Sequence, residues 1–309
     1  MEDVVNCHLC GRQLLPYLSD VVDPQTRQSF AIKHCPCCRH GRTSPVPASM
    51  APYYGPQYHG GRHGLTNAYC VRRRIGIVTK AAGRGNGRRL LDVGCGDGSF
   101  LLRARQVGWK AFGTELNPRL ARAVGLDVYT SLAQATARGP FDCITAWHVL
   151  EHFVDPGEEL RRMAGLLAPN GVLCLAVPNA ESRQARQFSR HWLHLDVPRH
   201  LHHFSQSSLE RHLGQAGLQA QRWWHGELEY DLLGWSQSLL NRHLAEPNVF
   251  FELVTGRRSS MPRIAKFAHL SVGVLTTAFA LLPTIWDKIW RQAGTLVVAA
   301  NLPDTRRQK

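Results

Sequence analysis

The sequence is poor in negative charge and in lysine. Only 23 of its 309 residues are Asp or Glu, against 37 Lys and Arg, which leaves a net charge of +14. Such an excess invites nucleic acid or an anionic membrane surface as a partner. Just six of the basic residues are lysine, however, and the arginines are scattered, so the charge by itself assigns no partner. Charged residues of either sign make up 19% and hydrophobic ones 44%, a balance that excludes a disordered chain. Long apolar runs are equally scarce, and a mean hydropathy of −0.24 excludes a polytopic membrane protein. The opening MEDVVNCHLC is acidic and has no apolar stretch, which predicts no secretory leader and a reducing, cytoplasmic setting. An odd number of cysteines, nine, agrees with that setting, where clustered cysteines mean metal or catalysis more often than disulfides.

Cys7 and Cys10 form one C-x-x-C pair, and Cys35 and Cys38 a second. Each pair turns two thiolates to one side of a tight knuckle, and two knuckles close a tetrahedral site for a borderline-soft ion such as Zn²⁺. The spacing predicts a small zinc-ribbon-like module over residues 1–41, with a closed and therefore structural site. His8, His34 and His40 are alternative ligands or supports for them, Cys37 competes with Cys38, and free thiols on a short arm are the plain alternative. Residues 42–80 follow as linker and leading helix, the Pro, Gly and Ser of 42–62 marking the linker. Its Tyr53, Tyr54 and Tyr58 are expected to pack on the next domain or line its pocket.

From Arg88 the pattern changes to strand, glycine turn and helix: Leu90 to Val93, then Gly94, Gly96 and Gly98, then Ser99 to Val107. Glycines there let backbone approach a ligand closely, and the helix start presents free N–H groups to an anion. A second strand ends at Glu115, eighteen positions past Asp97, where a carboxylate can take both hydroxyls of a ribose. LLDVGCGDGSFL, GTELNP, FDCITAWHVLEHFVDP and LLAPNGVLCLAVPN, in that order over residues 88–224, resemble the class I S-adenosylmethionine-dependent methyltransferases. The resemblance implies a Rossmann-like, seven-stranded α/β sheet with helices on both faces, spanning residues 81–309. It also implies that Gly94, Gly96 and Gly98 shape the cofactor loop, that Asp92 or Asp97 holds the methionine ammonium, and that Glu115 holds the ribose. Asp127, Tyr129, Thr130 and Ser131 are open alternatives beside the adenine, while Trp147 and His148 are expected near the transferable methyl, with core packing as the other reading of Trp147. The alternation of short apolar runs with helical segments independently argues a parallel, doubly wound sheet.

The stretch HWLHLDVPRHLHHF, 191–204, holds five histidines with Asp196 and Arg199. A histidine can take the proton from a hydroxyl as a methyl arrives, so His200 or His203 is a candidate base with Asp196 to orient it. The run after the fourth strand of the sheet, AWHVLEHF, lacks the N-P-P-Y pattern of enzymes that methylate planar amines, which favours oxygen or carbon acceptors and adds Glu151 and His152 as candidates.

GTLVVAAN at 294–301 is the expected last strand, and residues 225–293 form an insertion before it, expected to be helical. Within it, LSVGVLTTAFALLPTIW at 270–286 carries no charge and is bounded by Arg263 and Lys266 upstream and by Asp287, Lys288 and Arg291 downstream. Seventeen residues are marginal for a bilayer of about 30 Å, so a pair of helices on a membrane surface, or a helical cap buried against the sheet or in a dimer, is expected. EYDLLGWSQSLLNRHL, with the histidine-rich stretch, resembles a bacterial subgroup of these methyltransferases that carries an N-terminal cysteine ribbon. That resemblance points to cell-surface saccharide and lipid pathways, so a small-molecule, saccharide or lipid-linked acceptor is expected, and the apolar insertion with the basic surplus predicts peripheral contact at the inner face of the membrane. The competing expectation is an RNA methyltransferase that positions ribosomal or transfer RNA with its ribbon.

Overall fold

The computed structural model describes residues 5–54, 65–258 and 260–303; Tyr58 lies outside them. In chain order the elements are β1 (Leu15–Val22), β2 (Ser29–His34), β3 (Gly41–Ser44), α1 (Leu65–Ala82), β4 (Arg89–Val93), α2 (Ser99–Gln106), β5 (Lys110–Thr114), α3 (Arg119–Ala123) and β6 (Asp127–Tyr129). There follow α4 (Leu132–Ala135), β7 (Phe141–Trp147), α5 (Pro156–Gly165), β8 (Leu167–Pro178), α6 (Arg183–Phe188), β9 (His202–His203), α7 (Gln206–Gln215) and β10 (Gln219–His225). The chain ends with α8 (Leu228–His243), α9 (Val249–Val254), α10 (Arg263–Ile289) and β11 (Thr295–Asn301). Two compact units result: Met1–Arg62 with Pro178–Leu209 and His225–Leu296, and His63–Val177 with Glu210–Trp224 and Val297–Lys309.

The seven-stranded sheet has the order β10-β11-β8-β7-β4-β5-β6, and this is the α/β sheet expected from the sequence. β4 pairs in parallel with β5 on one side and β7 on the other. Strands covered on both faces read as continuous apolar runs, and in β4 every residue after Arg89 is buried. The connections out of β4 diverge to opposite sides of that strand, so the segments following β4 and β7 leave the same edge of the sheet as neighbours. Ligands of open α/β sheets bind at such a switch point. Leu90, Phe100, Leu101, Val128 and Trp147 are among the side chains that form the apolar core of this second unit.

In the first unit a four-stranded sheet runs β1-β2-β3-β9. The expected linker therefore starts with a strand: Gly41–Ser44 pairs antiparallel with β2, and its Gly41 and Arg42 pair with His203 and His202. Two-residue β9 reaches β3 from far along the chain, a pairing with no local signal. A Cβ on Gly41 would lie 2.9 Å from the His203 Cβ, so the close approach of these strands requires glycine there. Tyr53 is buried with Val21, Phe30, Ile32 and Trp192 in the core of this unit, and its hydroxyl donates to Gln28. Packing, not a pocket, is thus the role the structure gives Tyr53.

The insertion forms α8, α9 and α10. Residues 270–286 lie inside one continuous helix of 27 residues rather than a pair of helices, with Pro283 accommodated within it. Gly273, Ala280, Thr284 and Asp287 recur at helical spacing and form its buried stripe, packed towards α8.

Candidate functional site

The glycine turn follows β4 in the second unit. Gly94, Gly96 and Gly98 all have positive φ, at +70°, +55° and +81°. Such backbone is cheap for glycine alone. A Cβ on Gly94 would lie 2.5 Å from the Val149 Cγ2, whereas at Gly96 nothing stands within 4 Å. The turn is thus tight at its start and open at its middle.

Two carboxylates close on this turn. Asp92, the fourth residue of β4, is buried and accepts a 2.5 Å hydrogen bond from the Thr145 hydroxyl on β7. Burial lifts its pKa to about 7; the Thr145 hydrogen bond and the Arg74 guanidinium pull the other way, and Glu115 adds to the rise. Glu115, just past β5, accepts from the Gly96 N–H at 2.9 Å and the Asn117 N–H at 3.3 Å. Asp97 accepts from the Ser99 N–H at 2.9 Å and so shapes the start of α2. Between the two candidates for a cationic ligand group, Asp97 is committed to the turn. Asp92 is the buried carboxylate that gains most from a cation.

Trp147 is buried at the end of β7, edge-on to Phe100 at 5.7 Å and with the Arg74 guanidinium 5.0 Å from its ring. Trp147 packs in the core of the second unit at the end of β7, the strand beside β4. His148 follows with φ +56°, a left-handed backbone uncommon outside glycine, and its N–H donates to the Ala176 carbonyl at 2.9 Å. Its Nδ1 stands 3.6 Å from the fully buried Glu151 carboxylate. The strained backbone and the buried carboxylate fix where the imidazole stands. Of the adenine-side alternatives, Asp127 pairs with Arg105 at 3.6 Å and Tyr129 accepts from Arg138 at 2.8 Å. Thr130 donates to the Gln134 side chain, and Ser131 caps α4.

His200, His203 and Asp196 belong to the first unit by sequence. The Thr43 hydroxyl donates to the His200 carbonyl at 2.6 Å and has its oxygen 2.9 Å from the His203 Nε2, so that nitrogen donates. His200 donates from Nδ1 to the His194 carbonyl at 2.9 Å. Asp196 pairs with Arg199 at 2.7 Å, and the same guanidinium reaches the buried Asp23 at 2.9 Å. Burial pushes the Asp196 carboxyl up, but Arg199 and His200 more than reverse this and hold it below the usual carboxylate range. His200 stands 3.9 Å from Asp196, farther than Arg199 does. A cavity of about 460 Å³ also lies in this unit, with Arg39, Arg186, Arg291, His203 and His225 in its wall and Glu181 among them.

The cysteine centre is in the first unit as well. Cys7, Cys10, Cys35 and Cys38 bring their sulfurs within 4.8 Å of one another. Cys38 is buried while Cys37 is exposed, which decides between the two. The knuckles are built by backbone: the Gly11 N–H donates to the Cys7 carbonyl at 2.7 Å, and that of Arg39 to the Cys35 carbonyl at 2.9 Å. Burial pushes the Cys7 thiol up to about 11, whereas hydrogen bonding to the Arg12 backbone brings Cys10 down to about 7.

Sequence reasoning missed Arg74 and Thr145 beside Asp92, and Thr43 and Asp23 beneath the histidines. A threonine within the otherwise apolar end of β7 was the available signal for Thr145. Arg74 sits in a run of three arginines with nothing to single it out.

Residues 68–222, half of the chain, match the family described as methyltransferase domain. Over 113 residues, 31% of this chain, the sequence is 34% identical to the ubiquinone biosynthesis O-methyltransferase of Caulobacter sp. (strain K31), 45% of which is covered. The enzyme of the same description from Xanthomonas campestris pv. campestris (strain B100) is 33% identical over 105 residues, 30% of this chain and 44% of its own. The chain spans less than half the length of these curated relatives. Among solved structures, a Galdieria sulphuraria protein described as a sarcosine dimethylglycine methyltransferase aligns with a TM-score of 0.50 at 14% identity. The alignment covers 78% of this chain and 86% of that one, a likeness of fold.

Proposed function

Because the chain belongs to the methyltransferase-domain family, we propose that it transfers a methyl group from S-adenosylmethionine to a hydroxyl oxygen of a small-molecule acceptor. The residues of the second unit fit the methyl donor. The buried Asp92 calls for a cation, which the methionine ammonium is, and the open left-handed backbone at Gly96 leaves room beside Glu115 for a ribose. Bound there, S-adenosylmethionine supplies an electrophilic methyl group on a positively charged sulfur. Most of the remaining work is alignment, since in-line displacement at a saturated carbon depends on holding the two reactants at the right distance and angle.

The single observation that carries an oxygen acceptor is His148. It leaves β7 in a left-handed conformation with Glu151 buried behind it, so an imidazole is held at the switch point to accept the hydroxyl proton. The relatives named O-methyltransferases and the absence of an amine-type run after β7 support the same acceptor atom. The four-cysteine centre is read as a structural zinc site, all sulfur and without a ligand position for substrate. Purified protein that carries no zinc overturns that reading.

Methyl-labelled S-adenosylmethionine, added with the protein to extract from cells lacking it, tests the function. Label is expected in the small-molecule or lipid fraction, and His148→Ala is expected to slow incorporation by about 100-fold or more with little change in donor affinity. Label in RNA, or full activity of His148→Ala, sinks the reading.

A further inference from the structure

Helix α10 buries one stripe and leaves the rest of its apolar surface in the open. Ile264 is 87% exposed, Phe267 74%, Leu275 64%, Phe279 78%, Leu282 77% and Ile289 68%. Soluble proteins rarely expose contiguous apolar surface on this scale without a partner for it. From Phe267 to Trp286 no charged side chain interrupts the helix. Cations stand at both ends, Arg263 and Lys266 before the apolar stretch and Lys288 and Arg291 after it. Trp286 and Trp290, each more than half exposed, lie together with ring centres 5.7 Å apart at the second of these ends. The anion nearby, Asp287, is buried, held 2.5 Å from the Arg183 guanidinium and accepting from the Trp235 indole at 2.8 Å.

We propose that α10 is an in-plane membrane-docking helix and that its occupant is the surface of a bilayer containing anionic lipid. An apolar face with aromatic residues, flanked by cations at headgroup level, matches the chemistry of that surface. A second copy of the chain does not match it. Both ends of α10 are basic, so a parallel or an antiparallel helix pair sets cation against cation at each end.

By length and composition α10 could also cross a bilayer. Its attachments oppose that. The buried stripe is fixed to the first unit by the Ser236 to Thr276 hydroxyl contact at 2.7 Å and by the Arg183, Asp287 and Trp235 set. Gly273 admits Phe250 so closely that a Cβ there would lie 2.0 Å from its ring. Spanning would pull these contacts apart and carry an ion pair into hydrocarbon. The insertion also leaves the sheet from β10 and returns to it at the neighbouring β11, so both ends of it stay on one side. Lying flat keeps every one of these contacts and covers only the apolar face.

Co-sedimentation of the purified full-length protein with vesicles tests this, with phosphatidylglycerol–phosphatidylcholine mixtures set against phosphatidylcholine alone. The protein is expected to pellet with the anionic vesicles, less so at high salt, and to be released by alkaline carbonate. Ile264→Asp with Leu282→Asp is expected to weaken binding by at least about 10-fold while the thermal transition is kept, because both side chains are exposed. Lys266→Ala with Lys288→Ala is expected to weaken it on anionic vesicles only. Wild-type protein left in the supernatant with both vesicle types overturns the proposal, as does undiminished binding of the double aspartate variant. Retention through carbonate overturns the in-plane placement, and a dimer that the aspartate variant converts to monomer, with no vesicle binding, assigns the face to a second copy. Binding of this kind does not depend on which acceptor is methylated, so failure here leaves the labelling result standing.

Discussion

The glycine turn and the histidine-rich stretch are the two most chemically suggestive parts of the sequence, and the structure gives them opposite characters. In the turn, positive φ at three glycines shapes the backbone, with open space beside Gly96 and the carboxylates of the buried Asp92 and of Glu115 close to it. In the stretch from 191 to 204, most of the polar side chains are buried and hydrogen bonded within the first unit, to Thr43, to the His194 carbonyl and to Asp23. One region spends its unusual residues on backbone shape, the other on holding a small sheet and its loops together. Substitutions in the first should change ligand affinity with the fold intact; those in the second should change stability.

The largest effect is expected at Arg199. Removing the guanidinium leaves two carboxylates, the buried Asp23 and its partner Asp196, without their shared cation. Breaking such a group costs about 3–5 kcal/mol, so Arg199→Ala should lower the denaturant midpoint strongly and leave donor affinity of the surviving folded protein unchanged. Selective loss of donor affinity with unchanged stability would reverse the comparison. Next in size is Glu115→Lys, which sets a cation beside the Gly96 N–H and removes its acceptor. Calorimetry with S-adenosylhomocysteine should find affinity lower by about 100-fold, roughly 2.7 kcal/mol, with the thermal midpoint little moved.

A smaller effect is expected from pH. Asp92 titrates near 7 because burial disfavours its charge, and an ammonium bound beside it favours the ionised form. Donor affinity should therefore rise as pH increases through about 7 and level off above it, by about tenfold between one unit below and one unit above. Asp92→Asn should flatten the profile and keep the weaker, low-pH affinity. A flat wild-type profile would show that Asp92 does not meet the ammonium.

Legibility follows the range of the interactions. The glycine turn, β4 and Glu115 were readable because strand, turn and helix are consecutive and each residue type is dictated by local backbone. The four-cysteine cluster was readable for the same reason, each pair lying within one knuckle, and the structure had only to bring Cys38 rather than the exposed Cys37 into it. The register of β9 against β3 was not readable: it joins His203 to Gly41, and no local pattern marks a two-residue strand. Nor was the Arg74 guanidinium over Trp147, which depends on how α1 packs against the strand end rather than on any spacing. For α10, composition announced an apolar helix, but only the structure separates the buried stripe at Gly273, Ala280, Thr284 and Asp287 from the exposed face.

His203 is where the comparison is most finely divided. The Thr43 hydroxyl spends its one proton on the His200 carbonyl, so His203 must donate from Nε2, and the ring sits buried in β9 against Gly41. As a structural donor it contributes about 0.5–1.5 kcal/mol, the net worth of one hydrogen bond in a protein. His203→Gln, which keeps an N–H for Thr43, should lose less stability than His203→Phe, and both should turn over substrate at rates close to wild type. If His203 instead takes the acceptor proton, the two variants fail alike, slowed by about 100-fold or more, because neither amide nor phenyl can act as a base at neutral pH. Ranking the pair by denaturation midpoint and by turnover on the same preparations separates a histidine that holds the sheet from one that moves a proton.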